Sequence, residues 1–545
     1  MPDPPLTLSL DIGTSSTRAL LWDTAGREVE GVAAQVHYHM TTTPDGGVEM
    51  AAEDFVHHIG DCLDQAIRQA GARSAQIRAV GISTYWHSLI GLDENGEPLT
   101  PLYSWADTRA GDAARRLRKT WDEDAVHART GCMIHPSYYP AKLVWLRETR
   151  PEIFKRVARW AAPSEYLRGL LFGAHERRVS VSMASGTGLF DQQRCAWDPV
   201  TLRALDLDEG TLASIVDLKQ PARGLIDPFA RRWPALKEVP FFPAVGDGAC
   251  GNIGSGCVSP NRMAINLGTS GAIRVVWHEE GDPTPGSRQS VDTRVRVGSR
   301  ESNLQMQSTV SAETAGQLLT NEGHPSHPLT RSPDHPLLPR GLWQYRVDAR
   351  RPIVGAAFSD GGDVFAWMND TLKLPPPEEL ERRLAAHGPG AHELVFLPFL
   401  AGERSLGWNP DARATLTGLN LNTSPVDILF AALEGVALRF ALAADLLHGL
   451  FPGADQIVAS GGALSHSPAW SQIFADALGK PLTLAAEPEA SSRGAALLAM
   501  EAAGLIESVE GIEAQLGATY TPDPVRRSRY AELLAEQQEL YDKLV

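Results

Sequence analysis

"LSLDIGTSSTRALLW" (residues 8–22) and "MAINLGTSGAIRVVW" (residues 263–277) share one pattern, in which Gly13 and Thr14 correspond to Gly268 and Thr269. In the first copy Leu6, Leu8 and Leu10 alternate with Thr7 and Ser9, the period of a strand with one apolar face. Residues 11–16 interrupt that run. Residues 18–22 resume it, and Asp23-Thr24-Ala25-Gly26 is a turn signal. The pattern predicts strand, tight turn, strand, turn, strand, and residues 263–277 predict a second hairpin of the same kind. Both turns are built from glycine and small hydroxyls. Such turns let backbone approach a ligand closely and direct N–H and hydroxyl groups outward, which suits phosphate oxygens. No Gly-Lys-Ser/Thr follows either turn, so neither is a Walker A loop. One such turn is as easily an ordinary hairpin. Two, each heading a half-chain, indicate a duplicated α/β domain whose halves each hold phosphate, with a nucleotide between them.

The copies differ at one chemically important place: Asp11 in the first is Asn266 in the second. A carboxylate beside phosphates is repelled unless a cation lies between them. Asp11 is therefore a candidate partner for Mg2+, through water, and Asn266 avoids a second negative charge. Thr14, Ser15, Ser16 and Thr269 are candidate phosphate donors beside Gly13 and Gly268. Arg18 adds positive charge or is a solvated strand residue, the two readings having equal weight.

The 545-residue chain is long enough for two domains and a sizeable core. Its formal net charge of −16 argues against a sequence-blind nucleic-acid binder, which needs a basic surface. Five cysteines without a Cys-x-x-Cys pair make a disulfide framework or zinc site improbable and fit a reducing cytoplasm. The start "MPDPPLTLSLDIG" has neither a basic segment nor a long apolar one, so no signal peptide is expected. No run reaches the roughly 18 apolar residues of a membrane span, so no membrane partner is expected.

These hairpins resemble those of the actin-like, ribonuclease H-like ATPase domains, and within that superfamily the FGGY carbohydrate kinases. Residues 80–110 ("VGISTYWHSLIGLDENGEPLTPLYSWADTRA") are similar to that family's sugar-binding segment, and residues 243–256 ("PAVGDGACGNIGSG") to its catalytic-aspartate loop. Residues 459–482 ("ASGGALSHSPAWSQIFADALGKPL") resemble its adenosine-binding segment, followed by "EASSRGAALLA" at 489–499. The stretches "WHS" (86–88), "WADTR" (105–109), "TGCMIHP" (130–136), "LGTSGAIR" (267–274) and "LPFLAGERSLGWNP" (397–410) are most like the bacterial gluconate kinases of the family.

The resemblance implies two duplicated actin-like domains around a cleft, ATP and Mg2+ as cofactors, and a sugar or sugar-acid substrate. D-Gluconate phosphorylated at its terminal hydroxyl is the first expectation. Xylulose or another polyol is the alternative, and a non-catalytic ATP and sugar sensor the reading from another class. Asp247 is the implied general base, in a setting of glycines that leaves room for substrate. Trp86, His87, Trp105, Asp107 and Arg109 are the candidate sugar contacts. Arg109 is as readily a structural partner of Asp107. A gluconate carboxylate also needs a cation or a helix N-terminus, and His135 and Arg404 are the candidate suppliers. Gly461, Gly462 and Ala463 would let adenosine lie against backbone, and Gly361, within 359–362, would re-enter the cleft. The oligomeric state is left open, a homodimer being one option.

The first domain is expected over 1–259 and the second over 260–545. A strand is expected at 456–460. Helices are expected from Ser467-Pro468, over 425–450 and near 526–545, while 140–171 should be rich in helix. Trp470, Ile473, Phe474 and Ala477 recur at helical spacing and are expected in the core. Residues 279–342, polar and rich in Pro, Ser, His and Gly, read as an insertion. Its histidines (His324, His327, His335) read as a solvated loop rather than a metal site.

Overall fold

A computed structural model describes residues 3–279 and 338–545, so most of the expected insertion, with His324, His327 and His335, lies outside the described residues. The alternating leucines form β1 (Leu6–Ile12). Across the Gly13-Thr14-Ser15 turn runs β2 (Ser16–Trp22), and then β3 (Glu28–His37), each antiparallel to the strand before it. Leu8, Leu10 and Ile12 are fully buried, on one face with Phe55, Ile59 and Leu63 of an adjacent amphipathic helix, Ala52–Ala70. Truncating any of these strand residues to alanine costs about 2–5 kcal/mol. Two further strands, β4 (Ile77–Thr84) and β5 (Val245–Gly246), run parallel to β1 and complete a sheet of order β5-β4-β1-β2-β3.

The second sheet repeats this plan. Its strands are β6 (Arg262–Leu267), β7 (Gly271–Val276), β8 (Trp343–Arg346), β9 (Pro352–Phe358), β10 (Gln456–Ser460), β11 (Leu482–Ala485) and β12 (Leu516–Tyr520). The order is β8-β9-β7-β6-β10-β11-β12. Its inner five strands match β3-β2-β1-β4-β5 in order and direction, with β6–β7 and β7–β9 antiparallel and β6–β10 and β10–β11 parallel. Two equivalent five-stranded cores in one chain are the duplication that the repeated stretch implied.

The repeat is not exact in register. Ile12 pairs with Thr17 and Asp11 with Arg18, whereas Leu267 pairs with Gly271 and Asn266 with Ala272. The second hairpin tip is one residue shorter. A one-residue slip exchanges the two faces of a strand, so the structural counterpart of Arg18 is Ala272, although the sequences align Arg18 with Ile273.

Helix α1 (Tyr139–Thr149) opens the helix-rich segment expected over 140–171, and α2 (Asp247–Gly254) begins directly after β5. Helix α3 (Gly362–Thr371) follows β9, and α4 (Pro425–Leu450) is capped by Ser424 and Asp427 in a reciprocal box. In α5 (Pro468–Leu478) Ser467 accepts a hydrogen bond from the Trp470 N–H, and Trp470, Ile473, Phe474 and Ala477 are buried as expected. Helices α6 (Ala490–Ala502) and α7 (Pro524–Leu544) close the chain.

Helix α6 crosses α2 with backbone against backbone. A methyl group on Gly254 would lie 1.8 Å from the Ala490 carbonyl oxygen, and one on Gly494 would lie 1.9 Å from that of Cys250. Gly81 of β4 has the same relation to Ala495 of α6, at 2.1 Å. Arg493 ties the crossing down by donating to the carbonyls of Gly26, Gly254 and Glu513 at 2.6–2.8 Å. A helix late in the second half is thus packed onto the first sheet. All five cysteines are buried thiols. Among the described residues no helix is long and apolar enough to cross a membrane.

Candidate active site

The first hairpin tip is held by a residue that sequence reasoning did not single out. Tyr38 donates its hydroxyl to the Gly13 carbonyl at 2.7 Å and its N–H to the Ser15 carbonyl at 3.0 Å. Thr14 is half-buried, Ser15 is exposed, and Ser16 is buried.

The second tip gathers the remaining nucleotide candidates. Gly362 donates its N–H to the Gly268 carbonyl at 2.7 Å, and Asp363 to that of Thr269 at 3.1 Å, which sets the N-terminus of α3 on the turn. A methyl on Gly361 would meet the Ser270 carbonyl carbon at 2.8 Å, and one on Gly461, where φ is +100°, the Leu267 carbonyl oxygen at 2.4 Å. Ala463 approaches the same place: a methyl on Gly362 would lie 3.3 Å from its Cβ. Gly268, Thr269, Gly361, Gly461, Gly462 and Ala463 therefore share one surface, and a methyl on Gly268 would meet nothing within 4 Å. A one-turn helix, Gly462–Ser465, follows β10 before α5, which the sequence reading did not anticipate.

Asp247 is the first residue of α2 rather than a loop residue. Its carboxylate accepts the Gly248 N–H at 2.7 Å and is open to the cleft. Its deep setting raises its pKa from the ordinary value, against the pull of Arg274, the Gly248 N–H and Arg404. Asp11 is buried on β1, and burial pushes it up to about 6, with Asp247 and Glu489 adding to that effect and Arg18 opposing it. Arg18 bridges the halves, lying 3.8 Å from Asp11 and 3.4 Å from Glu489 at the start of α6. Asn266 instead donates to the Ser460 hydroxyl at 3.2 Å. Among the described residues no three His, Cys, Asp or Glu side chains cluster as a metal cage. Mg2+ does not need such a cage, being commonly held by one or two carboxylates, waters and substrate phosphates.

The sugar candidates separate into two groups. Trp86 is buried against β5: a methyl on Gly246 would overlap its ring at 1.9 Å, and its indole N–H donates to the Ser182 carbonyl at 2.9 Å. Together with Tyr345 and Trp343 of β8 it builds an aromatic floor, with ring centres 5.1 and 6.2 Å away. His87 follows at φ +64°, with Nδ1 on the Gly186 carbonyl. A carbonyl only accepts, so Nδ1 carries the proton. Burial and the Arg404 charge keep the ring neutral, leaving Nε2 an acceptor. Asp107 and Arg109 are committed to each other and to Glu49 in a buried network, with Arg109 also stacked 4.9 Å over Trp145. They brace the segment that carries Trp105.

Lys142 of α1, which sequence reasoning missed, is fully buried and donates to the carbonyls of His87 at 2.8 Å and Ser104 at 2.7 Å. Burial pushes it down to about 7. It stitches the Trp86-His87 turn to the Ser104-Trp105 turn. Its signal was visible as the single cation in the apolar run "YYPAKLVWL".

Of the two proposed cation suppliers, His135 accepts the Ser137 N–H at Nδ1, and burial followed by the Arg404 charge holds its pKa well below the ordinary value. It is neutral. Arg404 lies 5.2 Å over the Trp105 ring. Its Nε is buried without a hydrogen-bond partner, and no described carboxylate forms an ion pair with it. Asp247, His87, His135, Tyr138 and Tyr345 all feel its charge.

The models for the N-terminal and C-terminal domains of the FGGY family of carbohydrate kinases match residues 6–254 and 339–503. The second hairpin falls between those ranges, and its pairing with β9 and β10 places it in the second sheet. The gluconokinase of Bacillus subtilis is 25% identical over 532 residues, covering 96% of this chain and 92% of its own. Two solved structures from Lactobacillus acidophilus, a ligand-bound xylulose kinase and a gluconate kinase, each superpose with a TM-score of 0.81 at 24% and 23% identity, over 99% of this chain and 98% of theirs. Fold likeness therefore does not choose between substrates. With both domain models matched in order and two actin-like sheets around a shared carboxylate, the chain belongs to the FGGY family of carbohydrate kinases and is an ATP-dependent sugar or polyol kinase.

Proposed function

We propose that this kinase phosphorylates D-gluconate at its terminal hydroxyl, giving 6-phospho-D-gluconate. The observation that carries the reading is Arg404, a guanidinium set over an aromatic ring beside Asp247 and lacking any described carboxylate partner. Half-burying such a group with no described carboxylate at ion-pair distance is costly, and a substrate carboxylate lowers that cost. A neutral polyol leaves the guanidinium unpaired.

In this reading Asp247 accepts the proton of the terminal hydroxyl as it attacks, its raised pKa making it a stronger base than an ordinary aspartate. His87 Nε2 accepts from a sugar hydroxyl, and Trp105 covers C–H groups. Gly13, Thr14, Ser15 and Ser16 on one side and Gly268 and Thr269 on the other hold phosphates, while Gly361, Gly461, Gly462 and Ala463 receive the adenosine. Asp11 would hold Mg2+ through water, and the ion supplies charge neutralisation for the phosphates when bound. Arg18 lies between Asp11 and Glu489 at the mouth of that site. The domains meet at 259/260, between α2 and β6, and the buried thiols suit the cytoplasm.

A coupled ADP-release assay over gluconate, xylulose, ribulose and glycerol tests this. Gluconate should lead in kcat/KM by at least about a hundredfold, since a site built for a charged group rejects analogues lacking it. A better rate with xylulose or glycerol would remove the gluconate assignment and leave the kinase class standing.

A further inference from the structure

Arg274 has no role in the reading above, yet its surroundings are built around it. It lies on β7, three residues past the start of the strand, with Gly355 of β9 as its cross-strand partner. A methyl on Gly355 would lie 2.9 Å from its Cγ, and a methyl on Gly248 would lie 2.8 Å from its Cζ, Nε and Nη2. Two glycines thus open a slot through which the side chain reaches α2 directly after Asp247. Its Nε is buried without a hydrogen-bond partner, as is that of Arg404. The two guanidiniums feel each other's charge, and Arg274 also faces Asp247 and Tyr345. Two guanidiniums near Asp247 carry one positive charge more than that carboxylate balances.

The position of Arg274 decides which anion. The nucleotide candidates gather at the hairpin tip, around Gly268, Thr269, Gly361 and Gly461. Arg274 stands further along the strand, beside Tyr345 of the aromatic floor that also holds Trp86. It borders the acceptor pocket rather than the phosphate turn.

We propose that Arg274 and Arg404 jointly receive the carboxylate of a sugar-acid substrate, and that Arg274 is a residue determining discrimination against neutral polyols. The inference rests on the sugar-acid reading above. Both cations come from the second half of the chain, whereas Asp247, His87 and Trp105 come from the first. An acidic sugar therefore touches both halves, and a neutral one loses its strongest contacts to the second.

The test compares D-gluconate with D-glucitol, the same carbon chain with a hydroxymethyl group in place of the carboxylate. In Arg274→Gln the gluconate KM should rise about 30- to 100-fold and the gluconate-to-glucitol ratio of kcat/KM should fall by a similar factor. Arg274→Lys, which keeps the charge but loses the fork, should lose about five- to tenfold of that ratio. Thermal-shift measurements give a readout without turnover: gluconate alone should stop raising the Tm of Arg274→Gln, while ADP should still raise it. A ratio within threefold of wild type, or an equal loss of kcat on both substrates, overturns the inference. Should the glutamine variant fail to fold, the lysine variant decides by the same ratio. If the wild-type enzyme itself prefers glucitol, the sugar-acid reading falls first and this inference with it. If wild type prefers gluconate and the variants keep that preference, only the role of Arg274 falls.

Discussion

The two hairpins share a sheet position, a turn chemistry and a place beside Asp247, but their charge differs. The first carries Asp11 paired across the strand with Arg18. The second carries Asn266 opposite Ala272, with no charge at either place. In the proposed reading both turns hold phosphate and the pocket between them uses an unequal pair: one carboxylate for a cation, and one neutral side that adds no repulsion. The difference extends beyond the turns. The first half provides the proposed base and a neutral imidazole, and the second provides two guanidiniums whose Nε atoms have no hydrogen-bond partner among the described residues.

The largest effect should come from removing the base that only the first half provides. Asp247→Ala should lower kcat by about 10³-fold or more, in line with the upper range for general-base catalysis. Nucleotide affinity measured by calorimetry should stay near wild type. Near-normal turnover would mean that the chemistry is not divided between the halves in this way.

Making the first hairpin like the second is the next step. Asp11→Asn should lower kcat/KM for the Mg2+–nucleotide by about 10- to 100-fold and shift the activating Mg2+ concentration upward. The reverse change, Asn266→Asp, should weaken nucleotide binding by a smaller factor, about five- to tenfold, through added repulsion. If neither variant moves the Mg2+ titration, the asymmetry of the copies is not about the cation.

Glycines separate packing from binding. Gly494→Ala places a methyl against the Cys250 carbonyl and should cost about 1–3 kcal/mol of stability, read from denaturant unfolding. Gly268→Ala meets nothing within 4 Å and should leave stability unchanged while raising the nucleotide KM. Equal stability losses would show that the second tip is packed rather than open.

The smallest effect concerns Lys142, for which the second half has no counterpart described above. Burial depresses its pKa to about 7 from 10.5, so between those values the native state binds fewer protons than the unfolded chain. Stability from this group therefore rises with pH from 7 toward 10.5. Lys142→Met should flatten the slope of Tm against pH in that window. An unchanged slope would mean that Lys142 is not the titrating group.

The fold was legible because the strand and helix signals were local. Alternating leucines, the Ser467-Pro468 cap and the helical pattern from Pro425 each act within a few residues, and each matches an element of the structure. Asp247 was legible as a carboxylate among glycines. Its place at a helix start was not, because β5 before it is only two residues long. Lys142 and Tyr38 were missed because their partners lie 25 to 55 residues away, at His87, Ser104 and Gly13. Arg109 could not be separated from a sugar ligand until Glu49, distant in sequence, was seen to complete its pairing. That Arg404 has no hydrogen-bond partner at Nε among the described residues is legible only in the structure, because a motif records a residue and not its surroundings.

The shorter second tip has a consequence best put in genetic terms. After a duplication, loss of a single codon in one turn exchanges the faces of the strand that follows. In β7 this register directs Ile273 to the apolar core with Ile265 and Val275, and brings Arg274 to the face shared by Ala272. With the longer turn, the same strand sequence would present Ile273 to the cleft and drive the arginine into the core. A new charge can thus enter a substrate pocket without any point mutation in the pocket itself. Restoring one residue to 268–270 should undo that, whatever residue is inserted.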